Sequence, residues 1–166
     1  MRRRAALAAS GAALLIVAGC AVQPAATERS GPPVGSGWSG RLALRIDSEP
    51  TQNFSALFDL RGTPQAGELT LTTPIGSTLA VLSWSPGEAL LKNGSQTRRY
   101  ESVDALIEAA TGAAIPVNAL FSWLAGRDDP VPGWTANLAQ VGSGRLQAIR
   151  QSPQPVADLR IAFERP

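Results

Sequence analysis

From residue 38 onward, apolar and polar positions alternate with a period of two. Leu42, Leu44 and Ile46 fall on one face of a first segment, and Phe54, Ala56, Phe58 and Leu60 on one face of a second. Leu69 and Leu71 alternate with Thr70 and Thr72, and Leu79 and Val81 continue the series. This period predicts consecutive half-buried strands. Turn chemistry separates them at residues 47–50, at Arg61-Gly62-Thr63-Pro64, at Pro86-Gly87 and at Asn93-Gly94. The last pair predicts a tight hairpin between residues 88–92 and 95–100, because such turns need residues that accept positive φ. The period then changes. Ser102 can cap a helix in which Val103, Leu106, Ile107 and Ala110 share a face, with Asp104 in its first turn and Gly112 as its stop. Pro116 suits a first helical position and is followed by Val117, Leu120, Phe121 and Leu124, with Gly126 as the stop. Strand-like composition returns over residues 134–140, 145–150 and 156–163. An antiparallel meander interrupted by two helices predicts an α+β fold, with one curved sheet and the helices over its concave face. The pattern is compatible both with an interior filled by side chains and with an apolar cavity.

The N-terminal segment changes the reading of charge. Arg2, Arg3 and Arg4 precede an apolar run over residues 5–18, too short for a membrane span of about 20 residues. Removing residues 1–19 as an export signal turns the formal charge from +2 to −1, so the basic balance of the whole chain leaves no nucleic-acid footprint. Val17-Ala18-Gly19-Cys20 resembles the bacterial lipoprotein signal, which implies acylation of Cys20. Ala21 stands where Asp in such lipoproteins favours inner-membrane retention, so the resemblance implies the periplasm-facing leaflet of an outer membrane. Residues 20–37, rich in Pro, Gly, Ser and Ala, have little to bury and are expected to form a tether. Residues 38–166 are expected to form one folded domain.

Catalytic chemistry is poorly provided for. The chain has no His and a single Cys, which excludes a Ser-His-Asp triad, a Cys-His pair and an imidazole or multi-thiolate metal site. Asp128 and Asp129 are adjacent in a Gly- and Pro-rich loop, where paired acids decorate a turn and do not converge on one substrate. Ser39 in Ser36-Gly37-Trp38-Ser39-Gly40 lacks both a nucleophile elbow and a base, and Gly142-Ser143-Gly144 precedes no helix that could hold a phosphate. No enzyme activity, cofactor or metal is expected.

Three stretches together resemble the LolB family of outer-membrane lipoprotein receptors. They are Trp38-Ser39-Gly40-Arg41-Leu42-Ala43-Leu44, then residues 69–78 with the loop Thr73-Pro74-Ile75-Gly76, and then residues 111–126, which include Gly112, Ile115-Pro116-Val117, Leu120 and Trp123-Leu124-Ala125-Gly126. The resemblance runs from Trp38 to about Trp134. Two departures accompany it: Pro32 and Pro33 stand where the family has a helix before its first strand, and the last strands look abbreviated.

The resemblance implies a half-open antiparallel β-barrel lidded by helices, with an apolar interior that takes acyl chains. The protein would accept lipoproteins from a LolA-like soluble periplasmic carrier and insert them into the outer membrane, working as a monomer with acylated cargo and membrane lipid as partners. Expected interior residues are Leu42, Leu44, Phe54, Phe58, Leu60, Leu69, Leu71, Leu79 and Val81 from strands, with Leu106, Ile107, Leu120 and Trp123 from the lid. Pro74, Ile75 and Gly76 would form a protruding loop that delivers cargo to the membrane. The residues also admit another reading, a lipid-anchored assembly protein with a filled core that binds another envelope protein.

Overall fold

The computed structural model describes residues 37–164. The expected export signal, Cys20 and nearly all of the tether lie outside the described residues. Nine strands form a single antiparallel sheet: β1 (Gly37–Ile46), β2 (Gln52–Gly62), β3 (Gly67–Thr72), β4 (Thr78–Ser85), β5 (Glu88–Asn93), β6 (Gln96–Tyr100), β7 (Trp134–Asn137), β8 (Arg145–Arg150) and β9 (Ala157–Glu164). Between β6 and β7 come two helices, α1 (Val103–Thr111) and α2 (Val117–Leu124). The strand order is β6-β5-β4-β3-β2-β1-β9-β8-β7, so the curved sheet stays open, with β6 and β7 at its edges. The half-open barrel covered by helices is the expected architecture.

Most of the order is local. Each of β1 to β6 pairs with its sequence neighbour, and Gly94 turns the β5–β6 hairpin at φ +57°. The one long-range step brings β9 beside β1, pairing Leu42 with Ile161 and Leu44 with Leu159. β9 also pairs with β8, so the C-terminal hairpins extend the sheet from the outer side of β1. Side chains on one parity of every long strand face the helices: Leu42, Leu44 and Ile46, Ala56, Phe58 and Leu60, Leu69 and Leu71, and Leu159, Ile161 and Phe163 are buried in one cluster. The opposite parity carries charge. Arg45–Asp47, Arg61–Asp59 and Arg160–Asp158 are ion pairs between residues two apart on the same strand face. Such exposed pairs add little stability, but they place carboxylates beside three of the arginines on the outward face.

β4 corrects the expected register. Its inward residues are Ala80, Leu82 and Trp84, not Val81, which pairs with outward Thr70 and Lys92 and is only half-buried. Leu71 pairs with Ala80 but Thr72 pairs with Thr78, so Leu79 is the extra residue of a β-bulge. It stays half-buried against the core edge. Residues 79–82 are apolar on both parities, so alternation could not choose between the faces. The decision comes from Trp84, whose indole needs the interior and whose Nε1 reaches the Thr63 carbonyl at 3.0 Å. Two smaller differences occur. Pro116 is the cap residue before α2 instead of its first helical residue, and β7 ends at Asn137, before a 3₁₀ turn over Val141–Ser143.

Candidate functional site

The two helices sit on the inner face of the sheet and are shaped for it. Ser102 caps α1 by accepting a hydrogen bond from the Ala105 N–H, and Gly112 ends the helix with its N–H on the Glu108 carbonyl. Leu106 and Ile107 point inward and are fully packed. α2 is apolar around most of its circumference, as a helix must be when sheet lies beneath it and chain lies beside it. Phe121 meets Trp38 of β1 and Trp84 of β4 edge-on, with ring centres 5.5 and 6.4 Å away. Two residues later Trp123 lies 6.0 Å from Trp134 of β7. One short helix thus bridges both halves of the curved sheet. The N–H of Val117 donates to Asp104 Oδ1 at 3.2 Å, so a carboxylate from the first turn of α1 caps α2, which has no capping side chain of its own.

The interior is apolar apart from two side chains. Among the described residues the buried polar side chains are Thr111, which donates to the Ile107 carbonyl at 2.8 Å, and Arg150. The Trp123 indole N–H donates to the Asp129 carbonyl at 3.0 Å, so its ring contributes only apolar surface to the inside. Of the expected interior residues, Leu42, Leu44, Phe58, Leu60, Leu69, Leu71, Leu106, Ile107, Leu120 and Trp123 are buried in the shared cluster, while Phe54 and Leu79 are half-buried at its margin. Val81 is the one turned to the other face. The pattern missed Trp38, Ala80, Leu82, Trp84, Phe121 and the C-terminal set Leu146, Leu159 and Ile161, all of them buried there. Period two was visible in β9, yet only its pairing with β1 shows that it shares the interior.

These side chains interlock closely: Leu82, Leu106 and Leu124 have no measurable exposure. The helices are held over this face by packing, by the Asp104 hydrogen bond to Val117 and by the Trp123 hydrogen bond. A separate hollow of about 550 Å³ opens outward, where Arg41, Arg145 and Arg160 surround Ala43 and Ala162. Its charged rim makes it unlike the interior.

The β3–β4 connection is the second part of the candidate site. Ile75 is 90% exposed at its tip. The Thr73 N–H donates to the Ser77 carbonyl at 2.8 Å, the Gly76 N–H donates to the Thr73 carbonyl at 2.9 Å, and the Ser77 N–H donates to the Thr73 hydroxyl at 3.0 Å. Gly76 adopts φ +88°, which closes the turn. The tip is a small hydrogen-bonded platform that holds an apolar side chain in water, and Pro74 beside it is also exposed. Asp128 and Asp129 lie in the loop after α2, and no three carboxylates among the described residues come together to hold a cation.

Comparison with known proteins gives the context. The family model described as outer membrane lipoprotein LolB matches residues 37–165, well past the Trp134 limit of the sequence resemblance, so the C-terminal hairpins belong to the family fold as well. The chain is 33% identical over 149 residues to a Ralstonia nicotianae protein named outer-membrane lipoprotein LolB, covering 86% of this chain and 70% of the relative. A Bordetella petrii protein of the same name is 34% identical, covering 99% of this chain and 94% of the relative. One from a Shewanella species is 31% identical over 84% of this chain and 65% of the relative. With a family model spanning the whole described sheet and relatives of this similarity, the chain belongs to the LolB family of outer-membrane lipoproteins.

Proposed function

We propose that the protein receives acylated lipoproteins at the periplasmic side of the outer membrane and passes them into the bilayer. The observation that carries this reading is the helix-covered inner face, apolar from β5 to β8 except for Arg150 at the end of β8, and covered by two short helices. Burying a methylene group contributes about 0.8 kcal/mol, so one long acyl chain on this face gains on the order of 10 kcal/mol. That gain can offset the packing lost when α1 and α2 move aside. Affinity of this size needs no nucleotide and no catalytic group; transfer runs from weaker to stronger acyl binding and ends in the membrane.

The remaining parts follow from the same chemistry. Acylation of Cys20 would hold the domain at the membrane, since several acyl chains anchor stably where one does so only marginally. The partner upstream is a soluble LolA-like carrier of acylated protein. The Ile75 tip meets the bilayer: an isolated exposed apolar side chain on a rigid loop can enter the interface without unfolding anything. The decisive experiment is transfer of a labelled lipoprotein from carrier to liposomes containing the full protein. Incorporation of the label into the liposomes is expected. Cargo that remains on the carrier, with no intermediate complex trapped by crosslinks into the interior, would reject the proposal.

A further inference from the structure

Arg150 is the last residue of β8 and shares the inward parity of Leu146 and Ala148. It is only 8% exposed. One guanidinium nitrogen, Nη2, donates to the Pro155 carbonyl at 3.2 Å. The guanidinium carbon lies 6.0 Å from the centre of the Trp134 ring, and Trp134 in turn lies against Trp123 of α2. Nε donates to no acceptor among the described residues, and the ion pairs found among them leave Arg150 out. A buried guanidinium with an unmet N–H is an expensive group to keep, because buried charge and buried donors are normally matched by partners. The Trp134 face and one loop carbonyl offset part of that cost. The rest of the interior is apolar, apart from a threonine satisfied within its own helix. The unmet donor therefore stands where the apolar face ends and the surface loop over residues 151–156 begins.

We propose that Arg150 is a ligand-binding residue that anchors the polar end of a bound acyl chain, with Nε–H donating to the carbonyl oxygen of the ester or amide linking the chain to its bearer. The inference rests on the acyl-binding function proposed above and adds a polar subsite to it. A single carbonyl fits better than a phosphate or carboxylate. An anion of that kind is best held by two adjacent guanidinium donors, and Nη2, the partner of Nε in such a fork, is already engaged by the Pro155 carbonyl. The chain itself would lie on Leu146, Ala148 and Ile161, which share the inward face with Arg150 on β8 and the neighbouring β9. The anchor would thus tell a linked acyl chain from a plain hydrocarbon and set how deep the chain runs.

The test uses the full protein in detergent micelles and two fluorescent lipopeptides that differ only in carrying ester-linked or ether-linked palmityl chains. Their affinity ratio cancels most of the partition into micelles, and the ether lacks the carbonyl. The wild type is expected to bind the ester probe about tenfold more tightly, the size of one charge-assisted hydrogen bond. Arg150→Met should weaken only the ester probe and erase the preference. Arg150→Gln, which retains an amide to hold the Pro155 carbonyl, should do the same, and this separates ligand contact from loop support. Equal weakening of both probes in both variants, or a preference that survives them, would overturn the assignment. So would an Arg150-dependent preference for phosphatidylglycerol over the ester lipopeptide, which would make the ligand a phosphate. A wild type that binds both probes equally defeats this inference alone, whereas one that binds neither defeats the acyl-binding function too.

Discussion

Ile75 and Leu82 show how differently two aliphatic side chains can be used in one chain. Ile75 stands on a turn held by Thr73, Gly76 and Ser77 and touches little of the fold. Ile75→Glu should leave thermal stability almost unchanged, within about 0.5 kcal/mol, as for other exposed substitutions. The same change should slow delivery of cargo to liposomes, because a carboxylate resists entry into the apolar layer. Both measurements belong on one variant: marked destabilisation would make Ile75 a core residue, and unchanged delivery would remove its membrane role. Leu82 and its neighbour Val81 make the complementary pair. Leu82→Ala should cost about 2–5 kcal/mol in chemical unfolding, whereas Val81→Thr on the outward face should cost well under that. A reversed order would contradict the register of β4.

At the scale of elements, the two helices are tied together because a side chain of α1 caps α2. Asp104 was legible as an acidic residue in the first turn of α1, but its hydrogen bond goes to the N-terminus of α2. Asp104→Ala should lower stability by about 1 kcal/mol, a typical cost for a lost N-cap, and loosen α2 more than α1 in hydrogen exchange. Exchange that rises only in α1 would refute the capping of α2 by Asp104. The outer face offers a pH-dependent element. Burial alone would raise the Asp158 pKa, but hydrogen bonds from Arg160 and Gln147, with the positive charge of Arg160, more than compensate and hold it below its ordinary value of 3.8. Its contribution to stability is therefore complete above that value and disappears as the pH falls through the lower folded-state pKa. Asp158→Asn should flatten the acid limb of the stability curve and leave its slope near neutral pH unchanged, which unfolding at a series of pH values will show.

For the whole molecule, the open sheet is what makes a helix-lidded interior possible. A closed barrel of this strand number either fills its inside with side chains or holds one small ligand, whereas the open sheet here is covered by helices. A charge placed under that cover, as in Leu71→Glu or Leu120→Glu, should destabilise the fold by several kcal/mol or raise the carboxyl pKa strongly. Unfolding and acyl-probe binding on the same variants check this; a stable variant that still binds would place both positions outside the interior. Strand order from β1 to β6, the hairpin at Asn93-Gly94 and both helices were determined by the sequence alone, because alternation, turn chemistry and capping act between residues close in the chain. The turn at Ile75 was legible for the same reason, from Pro74 and Gly76, whereas its protrusion was implied only by the family resemblance, since most apolar residues at such turns fold back onto the core. Only the tertiary structure decided which face of β4 turns inward, that β9 closes against β1, that Asp104 caps the other helix, and that Arg150 is buried with a donor to spare. In each case the local pattern was degenerate: residues 79–82 are apolar on both parities, and an arginine ending a strand reads as exposed. Pairing and packing between segments far apart in the chain removed that degeneracy.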